Sequence, residues 1–124
     1  MLFKRNRKAQ KNQINNINIV IESQPTVKYS TKEILNADIC DRMGYCRRLD
    51  VCYGEKEYID ALADAIDLIH DKIPYIQDDE ELITASISLD TLIDYRTELM
   101  MRHLSSKHTH NQIACAEEYV VSLL

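Results

Sequence analysis

Ile59, Leu62, Ile66, Ile69 and Ile73 recur at spacings of three and four, a pattern that brings side chains to one side of a helix and to no side of a strand. At about 100° per residue the five lie within an arc of about 80°. Asp60, Asp64, Asp67 and Asp71 lie within about 60° on roughly the opposite side. Burying five large aliphatic side chains contributes on the order of 8–15 kcal/mol before entropy. Each like-charge neighbour along the aspartate row costs only about 0.2–0.5 kcal/mol. Packing therefore decides the conformation and leaves the carboxylates outside. The alternation is also a heptad pattern, the signature of two helices packed at a shallow angle.

The rest of the chain is compatible with helices. Two glycines and two prolines in 124 residues leave few breaks, and the length suits one compact domain. Ser30–Glu33, STKE, is a capping box ahead of Leu35, Ile39 and Met43. Cys46, Leu49 and Tyr53 extend that stripe past Gly44, as one kinked helix or two short ones. The aspartate-bearing helix is expected from about Glu55 to Ile73, closed by Pro74. A long helix is expected from Asp78 to about Ser106, with Leu82, Ala85, Leu89, Leu92, Ile93, Leu99, Met100 and Leu104 on one arc. A last helix from about Asn111 presents Ile113, Ala116, Val120 and Leu123. Upstream, INIVIE alternates apolar and polar residues from Ile17, and SQPT offers a turn into VKYS, which predicts a short strand or hairpin over 17–29.

Charge divides the chain. Lys4, Arg5, Arg7, Lys8 and Lys11 give the first eleven residues +5, while residues 55–94 carry twelve acids against two lysines, −10. The organisation expected is a flexible basic arm at 1–12 before one helical domain at 13–124. The aspartate row is a solvated face and a candidate docking surface for a cation, the nearest being the arm itself. No apolar run is long enough to span a bilayer, and the basic start is followed by Gln and Asn, so a cytoplasmic protein is expected. Cys40, Cys46, Cys52 and Cys115 are then reduced thiols. The spacing of six between Cys40, Cys46 and Cys52 lacks the close pair of structural zinc sites, and no metal or cofactor is expected.

Two short stretches resemble known motifs. Arg96 and His103, seven apart, fall inside the apolar arc of the long helix, and RTELMMRH resembles the arginine–histidine motif of HEPN ribonucleases. These are helical proteins whose motifs meet across a dimer. The resemblance implies RNA cleavage at Arg96 and His103, although Thr97 stands where that family prefers Asn, Asp or His. DICDRMGYCRR, Asp38 to Arg48, resembles the middle of a helix-turn-helix and implies Arg47 and Arg48 near phosphates or base edges. Asp50 falls where the second helix of such a unit buries an aliphatic residue. With Gly44 and Gly54 as the only glycines, no phosphate loop can be built.

The sequence is accordingly read as mainly α, a helical hairpin or bundle of three or four helices with a short N-terminal β element. The expected function is that of a small non-enzymatic interaction protein. It would oligomerise through its heptad seams and bind a protein partner via Asp60, Asp64, Asp67 and Asp71, with Arg96 and His103 as further surface candidates. An Asn- and Ile-rich chain with a basic arm suits a phage or mobile-element accessory protein or inhibitor. The alternatives are a DNA-binding regulator using Arg47 and Arg48, and a HEPN-like ribonuclease.

Overall fold

The computed structural model describes residues 28–44, 51–103 and 105–124. They form four α-helices: α1 Thr31–Met43, α2 Glu55–Lys72, α3 Asp79–Met100 and α4 His110–Leu123, with a 3-10 turn at Ile73–Tyr75 between α2 and α3. The expected β element at 17–29 lies outside the described residues except for Lys28 and Tyr29, which carry neither strand nor helix. The basic arm at 1–12 also lies outside them.

Each helix packs against two neighbours in the ring α1–α2–α3–α4 and back to α1. Leu35 of α1, Leu62, Ala65 and Ile69 of α2, Ala85 and Leu92 of α3, and Val120 of α4 are all completely buried at its centre.

Local signals account for most helix ends. Glu33 N donates to Ser30 Oγ at 3.1 Å and Ser30 N donates back to Glu33 Oε1 at 2.8 Å, the reciprocal cap expected at the start of α1. Gly44 ends that helix at φ +70°, a left-handed conformation that glycine adopts without steric cost. Val51 to Gly54 are not helical. Thr109 and Gln112 form a second reciprocal cap on α4, at 2.8 and 3.1 Å.

The long helix ends six residues earlier than expected, at Met100 rather than about Ser106. Arg102 adopts φ +56°, Arg102 N donates to Leu99 O, and His103 N donates to Glu98 O at 3.0 Å. This is a Schellman ending with arginine in the place glycine usually takes. The chain beyond is tied back to α3: Ser106 Oγ and Lys107 N donate to the Glu98 carboxylate at 2.7 and 3.0 Å, and His108 Nε2 lies 3.0 Å from Asp94 Oδ2. Hydrogen bonds from Ser106 and from His108 hold the Glu98 and Asp94 carboxyls, respectively, below their usual range. Because an L side chain at left-handed φ costs about 1–2 kcal/mol, Arg102→Gly is expected to raise stability by about 1 kcal/mol in chemical denaturation. An unchanged or lowered midpoint would contradict that account of the turn.

The seam of α2 is present but rotated. Its buried residues are Tyr58, Ala61, Leu62, Ala65 and Ile69, an arc centred about 60° from the aliphatic stripe. Ile59, Ile66 and Ile73 are half-buried at its flank. The same displacement occurs on α3, where Ala85, Ser88, Thr91 and Leu92 are buried while Leu82, Ile93 and Met100 of the expected arc are exposed. Small residues at the centre let helices approach closely. The rotation also turns Tyr58 inward, where it meets polar partners from α1 and α4.

Candidate functional site

Two features stand out: an acidic exterior on α2 and a polar cluster inside the ring. Asp60, Asp64, Asp67 and Asp71 are all exposed, as their spacing requires. Asp60 pairs with Lys56 at 2.9 Å, one turn away, and Asp64 accepts from Thr31 Oγ1 of α1 at 3.0 Å. Asp67 and Asp71 have no ion-pair or hydrogen-bond partner among the described residues. Asp60 and Asp64 also line an open groove of about 700 Å³ between α2 and the segment entering α1, together with Tyr29, Thr31, Tyr53 and Lys56.

The polar cluster draws on all four helices. Asp38 and Arg42, four apart on α1, face the same way, and Arg42 Nε donates to Asp38 Oδ2 at 2.6 Å with the two side chains 9% and 15% exposed. Tyr95 of α3 accepts from the Arg42 guanidinium at 2.7 Å, and the guanidinium carbon lies 4.9 Å from its ring centroid. Tyr58 of α2 has its hydroxyl 2.9 Å from Asp38 Oδ2 and 2.5 Å from Oε2 of Glu117 on α4. Tyr53 stacks on Tyr58 at 5.9 Å and reaches Asp38 Oδ1 at 3.4 Å.

Hydrogen counting settles the charge state. The Tyr58 hydroxyl donates toward both carboxyls, and Glu117 is also hydrogen-bonded to Asp38 itself, a contact that two carboxyl groups make only with a proton between them. Asp38 is the one bonded to Arg42. Glu117 is fully buried, and its Oε1 sits 3.9 Å from Arg42 Nε, too far for a hydrogen bond. Glu117 is therefore the protonated acid, hydrogen-bonded to Asp38, and the Tyr58 hydroxyl donates toward the pair. Burial first, and then the neighbouring Asp38, push the Glu117 carboxyl well above its ordinary value of 4.5. Burial disfavours the Arg42 charge, but the attraction and hydrogen bond of Asp38 outweigh it and hold the guanidinium protonated. Burial, then Glu117 and Asp38, likewise keep the Tyr58 hydroxyl neutral. The cluster carries one cation, one anion and one neutral acid, the balance that a dry interior requires.

Tyr53, which bonds Asp38, also lines the groove beside α2. Asp38, Arg42 and Glu117 themselves lie behind that groove and do not line it. The cluster holds helices together.

The remaining sequence candidates are dispersed. Arg96 is half-buried, and its Nε donates to the Ile59 carbonyl at 3.3 Å, tying α3 to α2. His103 is exposed beyond the end of α3. The fold of one chain thus does not bring Arg96 and His103 onto a common helix face. Arg47 and Arg48 lie outside the described residues. Among the described residues no group of three His, Cys, Asp or Glu side chains is placed to hold a metal ion, and no helix is long and apolar enough to cross a membrane. Glu117 escaped the sequence reading, although a signal was there. It falls between Ile113 and Val120 on the face of α4 expected to be apolar.

No family model, curated protein or solved structure matches the chain.

Proposed function

We propose that this chain is a small non-enzymatic interaction protein that assembles with copies of itself and engages a cationic protein surface through the aspartate face of α2. The reading suits an accessory or inhibitory protein of a phage or mobile element. The observation that carries it is the exposed row Asp60, Asp64, Asp67 and Asp71, two members of which are unpartnered among the described residues while Asp38 inside the ring is paired with Arg42. A row of like charge costs a helix a little stability and adds nothing to its packing, but it steers and orients an oppositely charged partner.

The test is to convert all four to asparagine. The helix and its packing are retained, and a partner co-purified with the wild-type chain at low salt is expected to bind at least about fourfold more weakly, since each of four exposed pairs contributes about 0.2–1 kcal/mol. Equal capture by the variant would overturn the reading. Salt-sensitive DNA retention lost on changing Arg47 and Arg48, or RNA cleavage lost in His103→Ala, would replace it with one of the nucleic-acid readings.

A further inference from the structure

The cations of the first eleven residues and the acids of α2 are far apart in sequence but meet at one place in the fold. Lys4, Arg5, Arg7, Lys8 and Lys11 have no acid among them, and Leu2 and Phe3, the single phenylalanine of the chain, precede them. The described residues begin at Lys28, and Lys28 and Tyr29 line the groove of about 700 Å³ beside α2. Tyr29 and Tyr53 give that groove aromatic surface, while Glu57, Asp60 and Asp64 give it carboxylates. From Asp64 the row continues along α2 to Asp67 and Asp71, the two members without an ion-pair or hydrogen-bond partner among the described residues.

We infer that residues 1–11 of the same chain dock in this groove and along the aspartate row, so that the arm masks the face until a stronger cationic partner displaces it. This contact presupposes that the aspartate face is the working surface, as proposed above, and adds how that surface is regulated. Carboxylates beside tyrosine rings suit arginine and lysine, whose stems cover apolar surface while their heads reach the acids. Leu2 and Phe3 supply apolar side chains for the same tyrosine-lined surface. Residues 12–27, sixteen in number, lead from the arm to Lys28 at the groove itself. Fully extended they would span about 55 Å, whereas Asp60 and Asp71 are about 17 Å apart along the helix, so the whole row is within reach. A segment tethered beside its site acts at an effective concentration in the millimolar range, an advantage that no separate cationic chain has. The other acidic run, Asp78 to Glu81, does not line the groove, and two of its members are already engaged: Asp78 caps α3 and Glu81 accepts from Tyr119.

The test compares amide NMR spectra of the full chain with those of a variant carrying Lys4→Gln, Arg5→Gln, Arg7→Gln, Lys8→Gln and Lys11→Gln. At low salt the shifts of Tyr29, Tyr53 and the residues from Asp60 to Asp71 are expected to differ between the two, and the differences to collapse at about 0.5 M salt, where exposed charges are screened. A synthetic peptide of residues 1–11 is expected to bind the variant at least about threefold more tightly than the wild-type chain, whose own arm competes for the site. Identical spectra at low salt, or equal peptide binding by both chains, overturn the inference. Differences centred on Asp78 to Glu81 also overturn it, because they place the arm elsewhere. Differences that fade on dilution at constant salt assign the contact to the arm of a second copy and overturn the contact within one chain. The two proposals fail separately. If the spectra are identical but the four-asparagine variant of α2 loses its partner, only the arm contact falls; if the spectra differ but that variant captures the partner equally, the proposed function falls and the arm contact remains.

Discussion

Arg42→Ala is expected to destabilise the chain by about 3–5 kcal/mol, the cost of removing one partner from a buried charge pair. Arg42 is the single cation facing the partly buried Asp38 and the buried Glu117 carboxyls among the described residues. Without it Asp38 either remains charged in a nearly dry site or takes a proton, and the Tyr95 hydroxyl on α3 loses its donor. Such a loss is a large part of the roughly 5–15 kcal/mol available to a small domain. In urea denaturation the midpoint should fall steeply. Arg42→Lys should recover only part of the loss, because an ammonium cannot bond Asp38 and Tyr95 with a planar fork. A loss below about 1 kcal/mol is what an exposed pair gives, and would show that the cluster is not buried as described.

Glu117→Gln is expected to have the opposite effect, and one that grows with pH. The folded chain holds the Glu117 proton above the pH at which the unfolded chain releases it, near 4.5. In that window the folded state binds more protons, so the slope of unfolding free energy with pH is negative, at most about 1.4 kcal/mol per pH unit for one proton. The stabilisation is fully present below the unfolded value and is lost as pH rises through the folded one. Glutamine is shaped like the protonated acid, can accept from Tyr58 through its amide oxygen and donate to Asp38 through its amide nitrogen, and never ionises. Variant and wild type should therefore be about equally stable in acid, with the variant increasingly the more stable toward alkaline pH. Asp94 and Glu98, whose carboxyls are held low, act in the other direction: what they contribute is lost as pH falls. Because both proteins share those groups, the difference between the two pH profiles isolates Glu117. Parallel profiles would mean that Glu117 is not the proton carrier.

How much of this was legible beforehand differs by element. The capping box at Ser30, the break at Pro74 and the acidic start of α3 each rest on local backbone chemistry, and each appears where the residues placed it. The end of α3 was not legible, because Arg102 occupies a left-handed position that glycine normally announces. The exposure of all four aspartates was legible from periodicity. The true centre of the buried face was not. A moment drawn through the largest aliphatic side chains points about 60° away from the core, because Ala61 and Ala65 occupy the closest approach and the half-polar Tyr58 is drawn inward by Asp38 and Glu117. The same tertiary demand leaves Ile83 and Ile87 facing outward on α3. The cluster itself joins residues 38, 42, 58, 95 and 117, and no local pattern links positions that far apart.

The ring of helices closes over one neutral acid, Glu117, beside the single ion pair of Asp38 and Arg42. Carbon NMR of the Glu117 side-chain carboxyl in the intact wild-type chain reads this directly. The account predicts the shift of a protonated acid at neutral pH, unchanged on acidification through the range where the exposed aspartates titrate. A carboxylate shift at neutral pH, with a titration midpoint near 4.5, would contradict it.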